Sequence, residues 1–290
     1  MLRVVTVIGH GASTYGSNFL PHFLRHYNFA DEINIVIYVS EIAPDIEKEI
    51  QSQIKFHKNV KIVKVYEGRV FDWNKVTDLY NEIKYKHPDD WWIVADIDEF
   101  QIYPYSDPKY IVQQCDLNGW ELVRGGFIDR LGINGTFPEL KNDKGIFSQF
   151  PMMGFFRYPL SQACPNKVCM MKGHIEITSG QHYAKIDGHT TWRWQGWNHP
   201  LIAPYEEWSV QVHHFKWDST CLERMKSVAI INEEYAFSGE YSKMFEAIKN
   251  NNYKIDVRNK GFMFEMSETT DCVYGTYKQW NKLIKKIVSI

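Results

Sequence analysis

Residues 89–100 constrain this chain more than any other stretch. Five apolar residues, Trp91-Trp92-Ile93-Val94-Ala95, run without polar alternation into Asp96-Ile97-Asp98-Glu99-Phe100. A short continuous apolar run fits a strand buried on both faces, in the middle of an α/β sheet. Three carboxylates then fall within four residues, where that strand would leave the core. Ligands of open α/β sheets bind just outside the carboxyl ends of the strands. If the chain stays extended, Asp96 and Asp98 project to the same side. Two carboxylates aimed at one point repel unless a cation neutralises them. Oxygen donors of this kind suit Mg²⁺ or Mn²⁺, with substrate phosphates completing the shell. Taken alone, Asp-x-Asp is more often a solvated turn or a helix cap. The buried strand before it and Glu99-Phe100 after it favour a metal–diphosphate site.

The chain leading to this stretch alternates strand and helix signals. Residues 4–8, 33–39 and 60–65 are β-branched and apolar, as strands are. Residues 18–26, 44–56 and 73–85 carry apolar side chains at helical spacing, such as Ile46, Ile50 and Ile54. This order predicts a largely parallel sheet with right-handed crossovers. No Gly-x-Gly-x-x-Gly and no Walker A lysine loop is present, which removes the dinucleotide-fingerprint and P-loop readings. Gly9 and Gly11 follow the first strand, where a turn or a close backbone approach would each need them.

Composition excludes several classes. The net charge of −2 gives no basic excess for nonspecific nucleic-acid binding. No apolar run is long enough to span a bilayer, and residues 1–8 read as a first strand rather than a signal peptide. The five cysteines are scattered without zinc spacing, as free thiols in a reducing compartment would be. A soluble, cytoplasmic protein is the expectation.

Asp96-x-Asp98-Glu99-Phe100 after an apolar strand resembles the metal-binding signature of GT-A fold glycosyltransferases. Within them it resembles the family 2-like group whose strand ends in Asp-x-Asp-Glu-Phe. Phe127-Ile128-Asp129-Arg130, Asn134-Gly135-Thr136-Phe137-Pro138, Gln149-Phe150-Pro151, Gly180-Gln181-His182 and His214-Phe215-Lys216 resemble later segments of that group, in its order. The resemblance covers about half of the chain. It implies an α/β, Rossmann-like GT-A fold and transfer of a sugar from a nucleotide sugar, a UDP-sugar being the expected donor, to a hydroxyl of a glycan or other acceptor.

The resemblance also implies roles. The loop that includes His10 and Gly11, together with Glu41, would hold base and ribose. Asp98 would bind Mn²⁺ or Mg²⁺, and Asp96 the ribose or the metal through water. His214 would be the third protein ligand, and Lys216 would touch the diphosphate. Departure of a nucleoside diphosphate places negative charge on its oxygens, which a divalent ion and a fixed cation stabilise. Inversion requires a carboxylate base. Asp129 is the first candidate, Glu176 the second and Glu99 the third. An Asp129–Arg130 structural ion pair is the competing reading.

Residues 1–217 are expected to form the catalytic domain, with 1–105 binding the nucleotide sugar and 106–217 the acceptor. Residues 218–290 are expected to be a helical appendage, with helices over 220–232, 241–250 and 275–290. Residues 191–200 hold three tryptophans, as a loop over a satellite core would. Two other classes stay open. One is a metal-dependent nucleotidyltransferase or phosphohydrolase, and the other is a non-catalytic carbohydrate-binding protein.

Overall fold

The computed structural model describes residues 1–9, 15–41, 44–69, 71–154, 164, 166–191, 199–231 and 238–255. The chain opens with β1 (Leu2–Ile8), α1 (Tyr15–His26), β2 (Glu32–Val39), α2 (Ile46–Ile54), β3 (Val60–Glu67), α3 (Trp73–Lys84) and β4 (Trp91–Val94). The expected alternation is therefore present. Side chains of β1 alternate between two cores: Val4 and Ile8 pack with Phe19 and Phe23 of α1, while Val5 and Val7 pack with Leu79 and Tyr80 of α3. Helix ends follow local chemistry. Asp72 caps α3 by accepting from the Asn74 N–H.

After β4 come β5 (Glu99–Ile102), α4 (Pro108–Asn118), β6 (Leu122–Leu131), the single turn α5 (Ile146–Gln149), β7 (Met152–Gly154) and β8 (Asn166–Lys172). Three short strands follow, β9 (Glu176–Ile177), β10 (Ala184–Ile186) and β11 (His189–Thr190). The order ends with α6 (Tyr205–Trp208), β12 (Val210–His214), α7 (Cys221–Ile231) and α8 (Ser238–Asn250). Asp107 caps α4, Pro108 fits its first turn, and Gly119 at φ 71° ends it.

The main sheet has the order β3-β2-β1-β4-β8-β6-β12-β5, with β7 also paired to β6. β1 is parallel to β2 and β4, β2 to β3, and β6 to β12. β8 runs antiparallel between β4 and β6, and β5 antiparallel to β12. This is the expected α/β architecture of GT-A type, a mostly parallel sheet flanked by helices.

Residues 179–181 form a 3₁₀ turn, in which Gly180 and Gln181 both take positive φ. β5, unforeseen, leaves the acidic stretch and crosses to the far edge of the sheet. Cys115, Cys164, Cys169 and Cys221 are free thiols, as expected. No helix among the described residues is long and apolar enough to cross a membrane. The tryptophans of residues 192–198 and the helix expected over 275–290 lie outside the described residues.

Candidate active site

β4 stops at Val94, and the Glu99 N–H donates to the Asp96 carbonyl at 2.9 Å, closing a turn. The extended projection of Asp96 and Asp98 to one side is thereby corrected. The two carboxylates have different partners. Asp96 is 40 % exposed, and its Oδ1 accepts from Tyr80 Oη at 2.8 Å and from Gln181 Nε2 at 2.9 Å. Asp98 is mostly buried, with its Oδ2 3.4 Å from His214 Nε2. Its carbonyl accepts from the Phe215 N–H at 2.9 Å, which ties the turn to the end of β12.

Strand register explains the convergence. β12 lies between β6 and β5, and His214 pairs with Asp129 on one side and with Glu99 on the other. Paired residues on neighbouring strands share a face. Asp129 Oδ1 lies 3.1 Å from His214 Nδ1 and also accepts from Trp217 Nε1 at 2.9 Å. Burial alone would lower the His214 pKa, but the Asp98 and Asp129 carboxylates override it and raise it to about 9. Burial likewise acts to raise the Asp129 pKa. The His214 hydrogen bond and charge outweigh it and hold Asp129 below the usual carboxylate range.

Arg130 points to the other face and donates from Nε to His213 Nδ1 at 2.9 Å. The competing Asp129–Arg130 ion pair is therefore not made, since successive strand residues face opposite ways. Asp129, held by an imidazole and an indole, is placed to orient His214.

Glu99 is buried, and its Oε1 lies 2.7 Å from Lys167 Nζ. Burial pushes its pKa up to about 7, against the pull of the Lys167 charge. Lys167 also lies 3.9 Å from Asp96 Oδ2 and over the Phe127 ring. Because β8 is antiparallel, its first residues arrive at the carboxyl end of β4, and Lys167 comes with them. Lys216 is half-buried, 4.8 Å from the Trp217 ring centroid, and its charge acts on both His214 and Asp129.

The remaining candidates are dispersed. Glu176 lies on β9 in the small sheet with β10 and β11, 40 % exposed and paired with Lys185. Glu41 is exposed beside a cavity of about 280 Å³ lined by Val39, Ser40, Glu67, Gly68 and Arg69, at the carboxyl ends of β2 and β3. His10 and Gly11 lie outside the described residues. Gly9, next to them, does mark a close approach: a Cβ there would sit 2.1 Å from the Tyr38 carbonyl oxygen.

Among the described residues no three His, Cys, Asp or Glu side chains gather as a metal cage. The expected set of Asp96, Asp98 and His214 is brought together only as the pair Asp98–His214. That pair still suits a divalent ion whose shell is completed by substrate phosphates. Metal-binding histidines commonly pass their second ring nitrogen to a carboxylate, as His214 does to Asp129. Neither Tyr80 nor Lys167 carries a signal in the sequence that marks it as a site residue. Tyr80 sits in an apolar helix face, and only the antiparallel direction of β8 reveals Lys167.

No protein-family model matches the chain, and no curated protein does. Solved structures with some likeness include S. aureus TarS 1–349, at 12 % identity and a TM-score of 0.34, covering 97 % of this chain and 78 % of that one. The same TarS fragment in complex with UDP also has 12 % identity and a TM-score of 0.34, with coverages of 90 % and 74 %. A proposed glucose-1-phosphate thymidylyltransferase from Bacillus anthracis has 8 % identity and a TM-score of 0.32, with coverages of 60 % and 72 %. Likenesses this distant carry no functional weight.

Proposed function

We propose that this protein is a metal-dependent glycosyltransferase that takes its sugar from a nucleotide-sugar donor, a UDP-sugar by preference. The observation that carries the reading is the acidic turn at the carboxyl end of β4, with a histidine from β12 directed at Asp98 and backed by Asp129. Asp98 and His214 would hold Mn²⁺ or Mg²⁺, and Asp96, the more exposed carboxylate, would accept from a ribose hydroxyl. When bound, the ion would neutralise charge on the departing diphosphate. Lys216 supplies a fixed positive charge beside His214, and Asp129 holds the imbedded imidazole in orientation. The acceptor is a hydroxyl of a glycan or other molecule, and the geometry of inversion is carried over from the resemblance alone.

The test is thermal stabilisation by nucleoside diphosphates and nucleotide sugars, with and without Mn²⁺. A ligand at a hundred times its Kd adds about 2.7 kcal/mol to the native state. For a chain of this size that raises Tm by roughly 5 °C. The expected result is a shift with UDP that requires Mn²⁺ and disappears in Asp98→Asn. A shift with nucleoside triphosphates alone would instead favour nucleotidyl transfer. No shift with any nucleotide would remove the glycosyltransferase reading.

A further inference from the structure

Asp96 is the acidic residue most open to solvent in the turn, yet one of its oxygens is gripped from two directions. Tyr80 of α3 and Gln181 of the turn 179–181 both donate to Oδ1. The position of Gln181 is unusual in three ways. It is 2 % exposed, its φ is 57°, and its Oε1 is buried without a partner among the described residues. A left-handed backbone is disfavoured for a residue that carries a Cβ, and a buried orphan acceptor is disfavoured for any side chain. Stability of the fold alone gives no reason to place a glutamine there. Its amide reaching one carboxylate does.

The surroundings hold that reach. Asn81, next to Tyr80 on α3, makes a reciprocal pair with Ile177: its Nδ2 donates to the Ile177 carbonyl, and its Oδ1 accepts from the Ile177 N–H. One helix therefore fixes both Tyr80 and the strand that leads to Gln181. On the other side, His182 is bound to Asn166 at the start of β8, through its carbonyl and its Nδ1. The Gln181 N–H closes the turn on the Thr178 carbonyl at 2.9 Å. Two anchored neighbours thus aim one amide at Asp96 Oδ1, while Oδ2 lies 3.9 Å from Lys167 Nζ, beyond hydrogen-bond distance.

We propose that Gln181 is a positioning residue that fixes the rotamer of Asp96 for donor binding. This rests on the nucleotide-sugar reading above. Gln181 acts through Asp96 and does not itself touch the acceptor. Losing a hydrogen bond to a charged group weakens what depends on it by about tenfold or more.

The experiment compares Gln181→Met, which keeps the volume without the amide, with Gln181→Gly, which also relieves the backbone. Donor KM, or the UDP concentration for half-maximal thermal stabilisation in Mn²⁺, is expected to rise about tenfold in both, with acceptor KM unchanged. In an Asp96→Ala background neither substitution should weaken donor binding further, which a merely structural residue would not obey. Without any ligand, amide exchange over residues 95–99 should quicken in both variants. Unchanged exchange and donor binding within twofold of the native chain would overturn the role of Gln181. Failure of the native chain to bind any nucleotide would instead remove the reading on which the proposal rests, and the two failures are read from different proteins.

Discussion

His214 lies between two carboxylates, and its neighbours divide the work. Asp98 belongs to the acidic turn, whereas Asp129 sits on β6, 8 % exposed, and also accepts from an indole N–H. Asp129→Asn would take one of two buried counter-charges from the imidazole. Breaking a buried charged pair costs about 3 kcal/mol, and chemical denaturation at neutral pH should show a loss of that order. A general base exposed to substrate would instead lose turnover with little change in stability. Gly9→Ala is expected to destabilise the protein as well, since the new methyl would collide with the Tyr38 backbone. Its melting temperature should fall clearly below that of the native chain. At this scale the carboxylates, the imidazole and Lys216 were legible, because their chemistry shows in their identity. Their partners were not. Nothing in the spacing of Tyr80 or Gln181 relates them to Asp96, since that relation exists only after α3 and the turn 179–181 pack together.

Elements differ in how they respond to protons. α1 packs His22 and His26 against the sheet and the segment around Lys141, and burial brings both pKa values down to about 4. His26 Nε2 bonds the Gln101 carbonyl at 2.9 Å, and His22 Nδ1 takes a hydrogen bond from Arg25. Unfolded imidazoles keep a pKa near 6.5, so between about pH 6.5 and 4 the unfolded chain takes up protons that the folded chain refuses. Stability should therefore be full above pH 6.5 and fall toward pH 4. Urea midpoints at pH 7 and pH 5 measure the drop, and His26→Gln should shrink it. α3 gives the same sign in another window. Lys84 is fully buried, bonds the Ile175 carbonyl, and has its pKa lowered to about 7 by burial. From pH 7 to 10.5 its charge is carried by the unfolded chain only, so stability from this group rises with pH. Lys84→Met should remove that rise. The helices themselves were legible from apolar spacing and caps. Strand β5 was not, because its first two residues, Glu99 and Phe100, belong to the acidic stretch and no turn signal separates the strand from it.

At the scale of the whole molecule, the order of the sheet decides what can stand alone. The parallel half β3-β2-β1-β4 is built from the first four strands of the chain and was readable from alternation. The other half is not, because no strand–helix alternation announces its antiparallel pairings: β4 meets β8, and β5 meets β12. A division at residue 105 into a nucleotide half and an acceptor half, natural from the sequence, cuts through these pairings. It would strip β4 of its neighbour β8 and leave β5 with no strand at all. It would also expose Trp92, Ile93 and Val94, which are fully buried in the intact chain. Lys167 would be lost from Glu99 and Asp96, so the acidic turn would lose its cation as well as its platform. A fragment of residues 1–105 is therefore expected to show no cooperative thermal transition by circular dichroism. The intact chain should unfold in one step, with tryptophan fluorescence and far-ultraviolet dichroism superimposing, as coupled halves require. A fragment that melts cooperatively on its own would mean that the parallel half folds first and that β8 docks onto a finished sheet. The turn between β4 and β5 would then be ordered late, by contacts that reach it from β8 and β12. Superimposed transitions place the ordering of that turn in the same event that forms the core.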